Sequence, residues 1–376
     1  MQQPTRGIHL EYSFESRGQQ GAEVDNPLFD LLAAVQEHGS IRHAAKAMNA
    51  SYRHVWGSLK HWEEVLGQPL LDWVQGKRAR LTPFATRLMW AERQARTRMT
   101  PHLEALRAEL LNALAQAQDP ALQVLEIYAS HDLALPALRE QAARQALHLG
   151  LRFAGSVDAL RALAVGRCTV AGFHVPALPQ GSALFAAALK PLLKPGLHKL
   201  IGCTRRMQGL MLRDDGSALP HDLADLAGKP LRFINRQAGS GTRLLMDHLL
   251  AQQGIAPAQL PGYLGATEDS HVALAAAVAS GQADVGPGIE AAAAQFGLRF
   301  VPLVEEDYFL VCLKDALETP PVQRLREVLA GAAFATALAA LPGYSVSRPG
   351  EVLSLVRALP WWHFRAGRHV NQRIAD

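Results

Sequence analysis

Cysteine is scarce: only Cys168, Cys203 and Cys312 occur in 376 residues. They form no CxxC or metal-ligand spacing, which excludes a disulfide framework and a cysteine-ligated metal. They read as buried hydrophobes or free thiols of a reducing compartment. No apolar run reaches about eighteen residues, so no membrane span or membrane partner is expected. Met1 to Asp25 lacks the apolar centre of a signal peptide, and the chain is expected to stay in the cytoplasm. Neither GxxxxGK[ST] nor GxGxxG occurs, which removes the common nucleotide-binding loops. Histidines beside carboxylates, such as His131, Asp132, His174 and His271, can do acid–base work. No nucleophile elbow or cofactor loop organises them, so no enzyme, catalytic residue or bound metal is predicted.

What is present points to several domains, since 376 residues exceed one ordinary domain and 49% of them are apolar. The reading divides the chain into an N-terminal segment (1–25), a winged helix-turn-helix (26–83), linker or dimerisation helices (84–120) and an α/β domain (121–376). Between Ser40 and Thr100, eleven Lys and Arg face four Asp and Glu, an excess of seven that suits a phosphate backbone.

Asn26 and Pro27 open a first helix that Gly39 ends. Ser40 caps a second, Ile41 to Met48, whose Ala44, Ala45 and Ala47 permit close packing. Ser51 caps a third that runs to about Leu66. Helix, tight turn and helix place the start of the last helix in a DNA major groove. Ser51, Tyr52, Arg53 and His54 are the candidate base readers, with Lys60 nearer a phosphate. A strand, a basic turn with Lys77 and Arg78, and a second strand with Arg80 make a wing for backbone or minor groove. Beyond it, a helix through Thr97 and another from His102 to about Gln118 are expected, with a break or kink at Pro101. Leu103, Leu106, Leu110, Leu111 and Leu114 stripe the second, as a core face or, preferably, a homodimer seam; a higher oligomer stays open.

From Leu122 strands alternate with helices, the pattern of α/β domains. Strands are expected over Leu122 to Tyr128, Leu151 to Ala154 and Cys168 to Phe173. Their polar ends, Ser130-His131, Gly155-Ser156 and His174, fall on the rim where such sheets bind ligands. The strongest local motif runs from Asn235 to Arg243. There Gly239-Ser240-Gly241-Thr242 precedes a helix, and Arg236 or Arg243 can supply charge to an anion. Ser270-His271 caps another helix, and Gly286 lies in the glycine-rich Gly286-Pro287-Gly288. Crossings near Leu200 to Leu212 and Phe300 to Leu313 predict a hinged two-lobed clamp. Lobe 1 takes about 121–203 and 306–376, and lobe 2 about 204–305.

Gly39 to Leu71 and Leu81 to Met89 resemble the DNA-binding domain of the molybdate-responsive regulator ModE and, more distantly, LysR-type regulators. Ser51-Tyr52-Arg53 and Trp56 favour ModE. Ser130-His131-Asp132, Gly155-Ser156, Ala171 to His174, Asn235 to Arg243, Ser270-His271 and Ser280 to Ala293 resemble the periplasmic-binding-protein-like (type II) domain of molybdate and tungstate binders. The resemblance implies a multidomain fold, an α-rich head followed by an α/β two-lobed domain. It also implies a regulator that binds double-stranded operator DNA and a small anionic ligand. The effector would be molybdate, tungstate or molybdenum cofactor, with no covalently bound cofactor. An organic-acid effector is the alternative, with Phe173 and Tyr308 lining a larger pocket.

Overall fold

The computed structural model describes residues 14–15, 23–24, 26–72, 78–118, 124–178, 183–214, 216 and 218–362. The chain divides into two compact units, 1–107 and 108–376.

In the first unit, β1 (Phe14–Glu15) and β2 (Glu23–Val24) pair as a short ladder. Three helices follow: α1 (Asn26–His38), α2 (Ile41–Ala47) and α3 (Tyr52–Leu66). Leu28, Leu31, Leu32 and Val35 of α1 bury against Ile41, Ala44 and Ala45 of α2 and against Val55, Leu59 and Trp62 of α3. The turns use left-handed residues at Gly39 (φ +60°) and Asn49 (φ +52°), the conformation glycine and asparagine tolerate best. Ser40 and Ser51 cap α2 and α3 by accepting from the amides of His43 and His54 at 3.5 and 3.1 Å. The wing base is the antiparallel pair β3 (Leu71–Asp72) and β4 (Arg80–Leu81). Its tip, with Lys77, lies outside the described residues.

α4 (Pro83–Gln118) is a single helix of 36 residues. The expected break at Pro101 is absent. Proline deletes one amide donor from a helix, and the turns on either side continue the assignment. Leu106 and Leu110 stay exposed at 46% and 41%, so these two seam candidates are not covered within the chain.

The second unit is built on one mixed sheet. β5 (Val124–Ala129), β6 (His148–Phe153) and β7 (Val170–Pro176) are parallel, joined by α5 (Ala134–Arg144) and α6 (Ser156–Ala164). After α7 (Ala183–Leu189) comes β8 (His198–Leu212), a strand of 15 residues. The second lobe adds β9 (Asn235–Arg236), α8 (Gly241–Gln252), β10 (Thr267–Glu268), α9 (His271–Ala279), β11 (Val285–Ile289) and α10 (Glu290–Gln295). A second 15-residue strand, β12 (Arg299–Leu313), returns to the first lobe. There α11 (Pro320–Ala330), α12 (Ala332–Ala339), β13 (Tyr344–Val346), β14 (Val352–Ser354) and α13 (Leu355–Ala358) complete it.

The spatial order is β11-β8-β12-β7-β5-β6, with β13 and β14 also paired to β8. Antiparallel β8 and β12 are therefore the two crossings between lobes, as expected near Leu200 to Leu212 and Phe300 to Leu313. Side chains alternate across the sheet. Tyr308, Leu310 and Cys312 enter the core on one face, and Phe309 and Val311 the core on the other. The register shifts between Pro302 and Val304 and between Tyr308 and Phe309, one irregularity on each side of the crossing.

Two β8 glycines are steric requirements. A Cβ on Gly202 would overlap the Arg348 carbonyl, and one on Gly209 the Val301 carbonyl. Gly202→Ala and Gly209→Ala should each lose about 1–3 kcal/mol of unfolding free energy in urea titrations. Unchanged midpoints would contradict this packing.

Candidate effector site and DNA-reading head

At the crossing, adjacent strands carry opposite charges in register: Arg206 opposite Glu306, and Arg205 opposite Asp307. The outer pair is half-open. The inner guanidinium is 3% exposed and surrounded. Arg206 Nε donates to Glu306 Oε1 (2.5 Å), and Nη1 to Asp132 Oδ2 (2.8 Å) and the Tyr344 hydroxyl (3.4 Å). Nη2 meets His271 Nε2 at 3.3 Å. Burial works against the Arg206 charge, but Glu306, Tyr344 and Asp132 outweigh it and hold its pKa above the ordinary value. Burial likewise opposes the Asp132 carboxylate, and Arg206 and His174 hold its pKa well below the usual range. Ionised Asp132 thus joins lobe 1 to the crossing.

The same carboxylate reaches His174 Nε2 at 2.9 Å, while His174 Nδ1 lies 2.8 Å from Ser130 Oγ. An ionised carboxylate can only accept, so Nε2 carries the proton and Nδ1 accepts from the Ser130 hydroxyl. The Ser130 amide is also used, donating to the Gly172 carbonyl at 3.0 Å. Ser130, expected to donate to a ligand, spends its donors inside the protein. The serine–histidine–aspartate order has the connectivity of a hydrolytic relay. Arg206 and Tyr344 also donate to Asp132, so the relay is tied into the crossing.

Arg206 also sets the tautomer of His271. A guanidinium only donates, so His271 Nε2 accepts and its proton sits on Nδ1. Among the described residues, that Nδ1 is buried without a hydrogen-bond partner, as is Gln208 Oε1. Gln208 Nε2 donates to Thr242 Oγ1 and to Glu306 Oε1, both at 2.9 Å.

Three helix starts meet between the lobes: Ser156 of α6, Gly241-Thr242 of α8 and His271 of α9. A Cβ on Gly155 would lie 3.9 Å from the Gly239 carbonyl, and one on Gly241 3.9 Å from Ser156 Oγ. Thr242 Oγ1 is 3.5 Å from His271 Nε2. The first amides of a helix have no partner within it, and the helix dipole adds partial positive charge there. Ser240 and Ser270 cap α8 and α9 by accepting from the amides of Arg243 and Ala273 at 3.2 and 3.1 Å. Gly239 (φ +82°) makes the turn that brings Ser240 into place.

Other predicted site residues serve the walls. Arg236 donates to the carbonyls of Glu268 and Asp269 at 3.1 and 2.6 Å, fixing the loop before α9. Arg243 is turned to Asp247 (3.0 Å) and the Tyr263 ring (4.6 Å). Gly286 has no room for a side chain beside Leu274 and Ile234. Tyr308 is fully buried, its ring centroid 4.3 Å from His174. His131 lies against Phe153 at 5.1 Å. Sequence reasoning missed Arg206, Gln208, Glu306 and Tyr344.

In the head, Tyr52 is 48% exposed and stacks on Trp56 with centroids 6.4 Å apart. Arg53, His54, Arg78 and Arg80 are exposed. Ser51 is the α3 cap. Lys60 Nζ pairs with Glu63 at 2.6 Å and lies 5.1 Å from the Trp56 ring centre. Glu63 in turn accepts from the Leu70 amide at 2.8 Å, tying the recognition helix to the wing.

Residues 138–330, half of the chain, match the family model of the PBP superfamily domain. The chain belongs to the PBP superfamily. Residues 28–86 match the bacterial regulatory helix-turn-helix protein, lysR family. A LysR-type DNA-binding head is thus joined to a PBP-like effector domain, the organisation of a transcriptional regulator. The match names the lysR type where Ser51-Tyr52-Arg53 and Trp56 pointed to ModE. This PBP-superfamily chain is 29% identical to the uncharacterized protein YvgK of Bacillus subtilis (strain 168) over 242 residues, 64% of this chain and 73% of that one. It is 32% identical over 112 residues, 30% of this chain and 98% of the other, to an uncharacterized protein in the 5' region of the ferredoxin 2Fe-2S gene of Clostridium pasteurianum. A cysteine-to-serine mutant of Corynebacterium glutamicum OxyR, with H2O2 bound, aligns with 83% of this chain and 93% of its own at 15% identity and TM-score 0.42. CbnR, a LysR family transcriptional regulator, aligns with 80% and 98% at 18% identity and TM-score 0.39.

Burial and the neighbouring arginines keep the site's histidines neutral. His131 is pushed down to about 4 by burial and then Arg236, His174 is lowered by burial and then Arg206, and His271 falls well below 6.5. The unfolded chain takes up these protons first, so stability is present above about pH 6.5 and is lost as pH falls towards 4. Asp132, with its lowered pKa, does not titrate in that window. Urea midpoints should decline across it, and His131→Gln should flatten part of the slope. A midpoint independent of pH there would refute neutral burial.

Proposed function

We propose that the protein is a cytoplasmic one-component regulator whose head binds double-stranded operator DNA and whose clamp senses a small oxyanion. The effector is molybdate, tungstate or a molybdenum-cofactor derivative, and it is bound without covalent attachment or turnover. The observation that carries this reading is the meeting of the α6, α8 and α9 starts across the cleft, where a Cβ on Gly241 would lie 3.9 Å from Ser156 Oγ. A tetrahedral oxyanion needs several convergent donors, and helix-start amides supply them. Ser156 and the His271 Nδ1–H add neutral donors, while the Arg206 charge is already balanced by Asp132 and Glu306.

Phe173 and Tyr308 are fully buried, which leaves an organic acid without the apolar lining it would need. The exposed Leu106 and Leu110 support a homodimer through α4. Closure of the lobes around the guest would favour one arrangement of the paired heads, in proportion to its affinity for that state.

Isothermal calorimetry with molybdate and tungstate should give micromolar or tighter binding, with sulfate weaker. Ser156→Ala should weaken it by about tenfold, the loss of one hydrogen bond to a charged group. No binding of either metal oxyanion at micromolar concentration would overturn this choice of effector.

A further inference from the structure

The recognition helix carries a glycine for which the chain itself supplies no reason. Gly57 lies inside α3, is exposed, and has ordinary negative φ. Among the described residues, a Cβ placed there meets nothing within 4 Å. Alanine would fit the site and favour the helix, because glycine leaves more backbone freedom to be lost on folding. Packing and backbone geometry therefore both leave the position open to any helix former.

Its place on the helix is informative. The buried stripe is Val55, Leu59 and Trp62. At 3.6 residues per turn, Gly57 falls at the middle of the opposite face, one turn beyond Arg53 and one turn before Lys60 and His61. All three neighbours are exposed. Beside this row, Trp56 stands between the Tyr52 ring and the Lys60 ammonium, and the Lys60–Glu63 pair braces it. The next residue along the row is the acidic Glu64, which marks where a polyanion should leave the helix.

We propose that Gly57 is a seat for the DNA duplex: the missing side chain lets the sugar–phosphate backbone or groove wall approach the α3 main chain between Arg53 and Lys60. The inference rests on the head binding DNA, and it adds the position that sets how deeply the helix enters. Contact with the backbone is independent of sequence, so any duplex reports it.

The test uses the full-length protein and a mixed-sequence duplex of about forty base pairs at low salt, followed by fluorescence anisotropy. Gly57→Ala and Gly57→Leu should fold with equal or higher melting temperatures. Affinity should fall with side-chain size, by about tenfold or more for leucine. Gln36→Leu, an exposed change on α1, should bind as the unaltered protein does. Tight binding by Gly57→Leu, beside tight binding by the unaltered protein, would overturn the seat alone. Failure of the unaltered protein to bind the duplex would overturn the DNA reading and the seat with it. A loss of affinity equal for Gly57→Leu and Gln36→Leu would also overturn the seat.

Discussion

One buried guanidinium organises the rear domain. Arg206 stands where the two long strands pass between lobes, and its donors reach Asp132 of the first lobe, Glu306 of the crossing and His271 at a helix start of the second. An isolated charge at that depth would be strongly unfavourable. Two carboxylates in direct contact offset it, and they also accept from His174, Gln208 and Tyr344. Exchanging the whole group for apolar side chains need not destabilise a protein, whereas removing one member leaves the others uncompensated. Each member of the network therefore depends on the others.

The same arrangement leaves the cleft with neutral donors. Because the arginine and carboxylates answer one another, a guest bound between the lobes as proposed would meet helix-start amides, the Ser156 hydroxyl and an imidazole N–H. Arg206 itself sets that imidazole's tautomer. Any differential affinity of such a guest for the closed state would act on β8 and β12, the strands common to both lobes.

Much of this was legible in the residues. The caps Ser40 and Ser51, the apolar spacing in α1 and α3, and the turns at Gly39 and Asn49 are local signals, and the head follows them closely. The two crossings were legible as the segments near Leu200 to Leu212 and Phe300 to Leu313. The buried network was not, since its members come from β8, β12, β13 and the loop after β5, and only the folded register joins them. A signal did exist: Arg205-Arg206 and Glu305-Glu306-Asp307 interrupt the two runs expected to cross between lobes, with opposite charges. The Ser130 hydroxyl was misjudged because its partner His174 lies 44 residues away on the neighbouring strand. Pro101 misled in the other direction, since a helix of 36 residues absorbs one missing donor.

The central claim, that the Arg206 charge is balanced chiefly by its buried carboxylates, is tested by a double-mutant cycle in urea. Arg206→Met and Glu306→Gln should each cost about 3–5 kcal/mol, and the double variant far less than their sum. Costs that add to within about 0.5 kcal/mol would show that the two side chains do not depend on each other, and would contradict the account.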